Sequence, residues 1–400
     1  MNILFYTHGK VYATRGGTER TTVSVASALT RLYGCHCYSL YEADEKHEKE
    51  TCFVAEYRWQ AGYDRLQDVD TLRKIIVNNN IDYIIDQGIF IYVKLLCQAA
   101  EGTGCKVILA HHYEPGAEAL YMSLQRHWAK RHDKMPLRRR CKWLFDLVFF
   151  PYSKHKYVET LRRTYREAYF NAHCVVLLSK GFIDAYQQFG QFNDDKKFLI
   201  IPNSLSFNEF LPIDEIAEKK PIVLIVSRIE EVHKRLSLAL EIWANVKKHT
   251  DANGWQLKIV GTGKDMPMYQ RMIENEKIPN VSFEGHQNPL PYYKEASLFM
   301  MTSRSESWGL TLTEAQQLGV VPIAFDTYAS LREIITNGED GVVVEESNVD
   351  EYVNHMLDLM RNDVKKQRMA RRAIISSQRF SQDRIAERWR ILFDELKDKR

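Results

Sequence analysis

The sequence has no apolar run long enough to cross a bilayer. Its most apolar stretch, Trp143 to Tyr152, is about half the roughly 20 residues a spanning helix needs and contains Asp146. There is no HExxH and no Cys/His quartet, so a protein-held metal is not expected. The seven cysteines, at 35, 37, 52, 97, 105, 141 and 174, are an odd number in no zinc-finger spacing. That usage predicts reduced, mostly buried thiols and a cytoplasmic setting. The opening MNILFY has neither a basic n-region nor a long apolar run, and it reads as a first strand rather than a signal peptide. Repeats of fixed period and low-complexity segments are absent too, which excludes solenoid and disordered classes.

What is present is an ordinary globular composition, 45% apolar and 27% charged, over 400 residues. That length exceeds what one core usually supports and predicts two domains. The net charge of +3 hides an asymmetry: residues 126–168 hold thirteen Lys or Arg against four Asp or Glu. This stretch mixes cations with large apolar and aromatic side chains (RRRCKWLFDLVFFPYSKHKY). Such a mixture suits an interfacial element on anionic lipid. Ordinary amphipathic helices with their charge in water are the competing reading. Nucleic acid is not the expected partner, because no nucleic-acid-binding motif accompanies the stretch.

Strand-like runs alternate with helical patterns throughout, the signature of parallel sheets covered by helices. The runs in the first half are Ile3–Tyr6, His36–Leu40, Asp82–Asp86, Lys106–Ala110, Cys174–Leu178 and Phe198–Ile201. After a polar linker the pattern restarts with Pro221–Ser227, Leu257–Val260, Val281–Glu284, Leu298–Met301, Val320–Phe325 and Gly341–Glu345. The expected fold class is therefore α/β: two Rossmann-like, doubly wound parallel-sheet domains facing a central cleft. Expected bounds are 1–203 for the first domain, 204–219 for the linker and 220–375 for the second domain. A C-terminal helix over 376–400, with Ile385, Trp389, Leu392, Phe393 and Leu396 at helical spacing, is expected to pack back across the joint.

Met301–Ala315 (MTSRSESWGLTLTEA) sets two carboxylates, Glu306 and Glu314, on either side of a strand-to-helix turn through Ser307, Trp308, Gly309 and Leu310. A turn at the carboxyl edge of a parallel sheet offers backbone N–H groups and a positive helix end to an anion. Flanking carboxylates suit a ligand rich in hydroxyls. Arg228 and Lys234, at a strand exit and a helix start, could hold a diphosphate and offset charge on a departing phosphate. Gly16-Gly17, between the first strand and a helix with Thr18 as its cap, lets backbone approach a bulky ligand. His111 and His112 leave another first-domain strand, where an imidazole can bond a substrate hydroxyl or carbonyl. One should point inward and the other away. Two look-alikes are set aside: Asp68-Val69-Asp70 opens a helix, where acids complement the dipole. Gly261-Thr262-Gly263 lacks a third glycine and reads as a tight turn.

In this order the motifs resemble the retaining GT-B glycosyltransferases of family four. Gly16-Gly17-Thr18-Glu19 is similar to that family's GGxE, Pro202-Asn203 to its PN, Arg228 to Lys234 to its R-and-K pair, and Glu306 through Glu314 to its E-x7-E. The resemblance implies sugar transfer from a nucleotide-diphosphate sugar, UDP-sugar favoured, to a glycan or lipid-linked acceptor, with no essential metal or cofactor. Polysaccharide or glycolipid assembly is the implied setting. By that analogy Arg228 and Lys234 bind the diphosphate, helped by backbone of Gly17 and of Trp308 to Leu310. Glu314 holds ribose hydroxyls, Glu306 contacts the donor sugar, and a histidine lies by the acceptor. A leaving phosphate oxygen would take the acceptor's proton in the front-face mechanism proposed for such enzymes. Trp308 stands where Phe is commoner, Arg235 where Gly usually follows the Lys, and Ser204 where the PN motif usually ends in Gly. An epimerase or phosphorylase on the same fold is the alternative enzyme, and a basic membrane-surface or nucleic-acid-binding protein the non-enzymatic one.

Overall fold

The computed structural model describes residues 1–13, 15–43, 47–60, 65–120 and 137–398. It divides into two compact units, Met1–Ile201 with the chain from Trp389 on, and Pro202–Arg388.

The first unit is a seven-stranded sheet of β1 (Asn2–Gly9), β2 (His36–Ala43), β3 (Phe53–Arg58), β4 (Tyr83–Asp86), β5 (Lys106–His111), β6 (Cys174–Leu177) and β7 (Phe198–Ile200). Its order is β3-β2-β1-β4-β5-β6-β7, and every pairing is parallel. Described helices include α1 (Gly17–Tyr33), α2 (Arg65–Asn78), α3 (Val93–Ala100), α4 (Leu137–Val148), α5 (Phe150–Asn171) and α6 (Phe182–Gly190). Ile3, Leu4, Phe5 and Tyr6 are all buried, as expected of a strand covered on both faces. Six of the seven strands lie where the apolar runs place them. The seventh, β3, is an edge strand whose interior is only half-buried, and its sequence carries no clear apolar run. Of the basic stretch, residues 126–136 lie outside the described residues, and the rest forms α4 and α5.

The second unit is a six-stranded sheet of β8 (Lys220–Val226), β9 (Gln256–Val260), β10 (Val281–Gly285), β11 (Ala296–Met301), β12 (Val321–Phe325) and β13 (Val342–Val344). The order is β10-β9-β8-β11-β12-β13, again parallel throughout. Its helices include α7 (Glu231–Lys234), α8 (Leu236–Val246), α9 (Leu290–Glu295), α10 (Leu310–Gln317), α11 (Val349–Arg361) and α12 (Asp363–Ser377), while α13 (Gln382–Asp398) begins in this unit and from Trp389 on belongs to the first. Strand order reverses between β8 and β11, because β9 and β10 run outward on one side and β12 and β13 on the other. Ligands of open parallel sheets bind beyond the carboxyl ends of the strands at such a switch point. The two strands that flank it deliver Arg228 and Glu306.

Candidate functional site

The loop leaving β8 is fixed by its neighbour. Ser227 donates its amide to Val260 and Ile229 donates to Thr262, extending the sheet pairing past the strand ends. A Cβ on Gly261 would lie 1.9 Å from the Ser227 carbonyl oxygen, and one on Gly263 2.1 Å from that of Ile229. These glycines are therefore more than a tight turn: they let one backbone lie against another and hold Arg228 in place. Arg228 is exposed and has no hydrogen bond or ion pair among the described residues.

Lys234 closes α7 and forms an ion pair with Glu306 Oε1; their side chains are 18% and 16% exposed. The pairing depends on two loops being stitched together. The Arg304 amide donates to the His233 carbonyl at 2.7 Å. Thr302 Oγ1 lies within hydrogen-bond distance of the Lys234 carbonyl (2.9 Å) and the Arg235 carbonyl (3.0 Å). Arg235, itself buried, sends its guanidinium the other way: Nε donates to Thr302 O at 2.8 Å and Nη2 to Ser303 O at 3.3 Å. Its φ is +48°, a left-handed conformation that glycine adopts without strain and arginine does not. Arg235 tolerates the conformation because its side chain ties down the loop that carries Glu306. The sequence treats it only as a departure from a pattern, and its inward role needs the coordinates to be seen.

The turn from Glu306 to Leu310 is anchored from beneath. Trp308 is buried, edge-on to Phe380 at 5.2 Å, and its indole N–H meets no acceptor among the described residues. The Trp308 side chain therefore anchors the turn from within. Gly309, at φ +78°, caps α10, and Ser330 Oγ donates to Ser307 O at 3.0 Å. The first amides of α10 have no intrahelical acceptor and carry the positive end of its dipole.

Glu314, which the resemblance assigns to ribose hydroxyls, lies among hydroxyls of the protein. It is fully buried, with Oε1 accepting from Ser206 Oγ at 2.5 Å and Oε2 from Tyr293 Oη at 3.0 Å. These hydroxyls are the protein's own, and each carboxylate oxygen can accept more than one hydrogen bond. Neither Ser206 nor Tyr293 stands out in the sequence, since each acquires meaning only from its distance to Glu314.

In the first unit, Gly16 is the extended residue before α1, and Gly17 is its exposed first residue. Among the described residues no side chain caps this helix; Thr18 lies inside it, two residues past the cap position, while Glu19 in the first turn pairs with Arg15. The two histidines separate clearly. His111 is a core residue among the rings of Phe90, Tyr113, Tyr165 and Tyr186, and its Nε2 lies 3.3 Å from Tyr165 Oη. Burial holds its pKa down at about 3. A neutral, enclosed ring cannot serve a substrate, which corrects its place beside His112 as a candidate. His112 is buried more shallowly, at 8% exposed, with Nε2 on Gln87 Oε1. Gln87 follows Asp86, whose Oδ1 accepts the Ile89 amide at 2.6 Å and whose burial raises its pKa to about 8. Asp68, of the DxD, sits in the first turn of α2. Among the described residues no group of three or more His, Cys, Asp or Glu is arranged to hold a metal ion.

Residues 206–375 match the family model described as glycosyl transferases group 1. This segment is similar to the group 1 glycosyltransferases. It contains Arg228, Lys234, Glu306 and Glu314, the four charged residues of the site. A poly(glycerol-phosphate) alpha-glucosyltransferase of Bacillus subtilis is 22% identical over 61% of this chain and 36% of its own length. An alpha-monoglucosyldiacylglycerol synthase of Acholeplasma laidlawii is 22% identical over 63% of this chain and 64% of its own. The chain thus spans only part of the curated relatives it matches. Anabaena HepE, solved in complex with UDP, shares the fold at 16% identity and a TM-score of 0.73, over 99% of this chain and 100% of that one. Residues 206–375 and the sheet of the first unit together make the two Rossmann-like halves of a GT-B fold.

Proposed function

We propose that this chain is a retaining glycosyltransferase that moves a hexosyl unit from a nucleotide-diphosphate sugar, UDP-sugar by preference, to a glycan or lipid-linked acceptor. The observation that carries the proposal is the Lys234–Glu306 pair at the switch point of the second sheet, on the loops of two strands, one of which also presents an exposed Arg228. A diphosphate fits there: Arg228 and Lys234 take its charge, and the amides at the start of α10 take its oxygens. Drawing Lys234 toward phosphate releases Glu306 to bond the donor sugar.

In the transfer, the bond from the anomeric carbon to the diphosphate breaks and one to the acceptor oxygen forms on the same face. The acceptor's proton passes to the leaving phosphate oxygen, so no protein base is demanded. Fixed cations and oriented amides stabilise the charge that develops there. His112 bonds the acceptor or the sugar. Catalysis proceeds without an essential metal. UDP in the HepE structure and the diacylglycerol and glycerol-phosphate polymers in the relatives' names support this donor and acceptor class. Polysaccharide or glycolipid assembly at the cytoplasmic face of a membrane is the setting we infer.

A panel of nucleotide sugars, scored by thermal stabilisation and then by nucleoside-diphosphate release with and without acceptor, tests the reading. One UDP-sugar should stabilise the protein and yield a new α-linked product, with chelator present throughout. Stabilisation by no donor sinks the proposal. Interconversion of free nucleotide sugars, or donor formation from glycan and inorganic phosphate, would replace it with an epimerase or a phosphorylase.

A further inference from the structure

The α4–α5 corner is amphipathic in the direction opposite to a helix packed on a core. Leu144, Phe145, Val148 and Phe149 recur at spacings that place them on one helical face, and all point outward. They are 46%, 50%, 70% and 51% exposed, and Tyr152 at the start of α5 is 59% exposed. The rings of Phe145 and Phe149 lie 4.8 Å apart, a single apolar ridge rather than scattered side chains. Exposed Arg138, Arg140 and Lys142 border this ridge on α4, with Lys154 and Lys156 on α5. Asp146, within α4, accepts a hydrogen bond from Ser153 Oγ at 2.9 Å, which fixes the corner. Phe150, Leu161, Tyr165 and Tyr169 root α5 in the first unit's core, so the ridge stands on rigid support.

We propose that this corner docks on an anionic lipid bilayer, the apolar ridge entering the acyl boundary while the surrounding cations engage phosphate headgroups. The chemistry of the rim decides the occupant. A second copy of the chain in a symmetric pair would bring the same cations face to face. Nucleic acid would use the cations but leave Leu144 and Val148 in water. A bilayer surface satisfies both halves at once, the geometry of an interfacial helix. No described helix is long and apolar enough to cross, so the contact is peripheral. The docking needs no nucleotide sugar, and its test is independent of the transfer proposed above.

Cys141 is exposed beside the ridge, whereas Cys35, Cys37, Cys52, Cys105 and Cys174 are buried and Cys97 is partly buried. The full-length protein labelled there with an environment-sensitive dye, mixed with phosphatidylcholine vesicles with and without phosphatidylglycerol, gives the readout. The dye should shift to shorter wavelength only with the anionic vesicles, and co-sedimentation should be roughly tenfold greater on them and fall with added salt. F145S/F149S should lose the dye shift and roughly tenfold in vesicle binding at an unchanged melting temperature, since both rings are half-exposed in the free protein. K142E/K154E should remove the preference for anionic lipid. A wild-type protein that ignores both vesicle types overturns the proposal, as does F145S/F149S binding like wild type. Concentration-dependent dimers abolished by F145S/F149S, with no vesicle binding, would assign the ridge to self-association instead.

Discussion

Glu306 and Lys234 can be removed singly without emptying a core, because each is partly exposed. Glu306→Gln and Lys234→Met should each lower kcat/KM by about 10²- to 10³-fold, the scale of losing one preorganised electrostatic group. Their melting temperatures should stay within a few degrees of wild type; a fully active Lys234→Met protein would remove the diphosphate role. Arg235 makes a sharper test. Arg235→Gly relaxes φ +48° but gives up the bonds to Thr302 and Ser303, whereas Arg235→Ala gives up the bonds and keeps the strain. The alanine variant should be less stable than the glycine variant by about 1 kcal/mol in denaturant unfolding. Both should lose turnover more than donor affinity, because the loop they loosen positions Glu306. Ser206→Ala leaves a buried carboxylate short of one donor and should cost about 1–3 kcal/mol. What the sequence shows at this scale is identity without orientation. It singles out both histidines, yet only the aromatic cage around His111 separates core from surface. It singles out Glu314, yet not the hydroxyls of Ser206 and Tyr293 that bond to it.

At the scale of elements, parallel strands announce themselves because both faces are covered and the chain must be apolar at consecutive positions. That is why twelve strands are legible as runs, and why β3, half-exposed at its edge, is not. Helix ends are less legible: α1 begins without a side-chain cap, so a rule that looks for Ser or Thr picks Thr18. One element carries an unusual partner. Lys219 donates to the carbonyls of Tyr293 and Lys294 in the last turn of α9, at 2.9 and 3.2 Å. Burial lowers its pKa to about 7. Below pH 7 both folded and unfolded chains hold this proton, and stability does not depend on it. Between about 7 and 10.5 the unfolded chain keeps a proton that the folded chain has released, so Lys219 makes the native state gain stability as pH rises. Denaturant unfolding of wild type and Lys219→Met across pH 6 to 10 should show that rise only in the wild type. Parallel pH profiles for the two proteins would refute it.

At the scale of the whole molecule, the first unit is finished by the last residues of the chain. Phe393 stacks on Tyr83 with ring centroids 4.5 Å apart and accepts the Tyr83 hydroxyl at its carbonyl, at 2.6 Å. Leu392, Phe393 and Leu396 are all buried, and they belong to the same compact unit as β1 and β4. A contact across 310 residues is closed only after the entire chain exists. The helical stripe of α13 is plain in the sequence, and so is the expectation that the helix crosses back to the first domain, whereas Tyr83 as its partner is not, because periodicity states that a face is buried without naming the residue it meets. Phe393→Ala should therefore destabilise the first unit by about 3–5 kcal/mol, the cost of a large buried ring. Tyr83→Phe, which loses one hydrogen bond and keeps the stack, should cost only about 1 kcal/mol. The charged residues proposed to bind the donor, Arg228, Lys234, Glu306 and Glu314, lie in the other unit. Truncation after Arg388 should accordingly lower protection of β1 and β4 in hydrogen exchange while leaving that of β8 and β11 in place. Equal loss of protection in both sheets would mean that the units do not fold as separate cores.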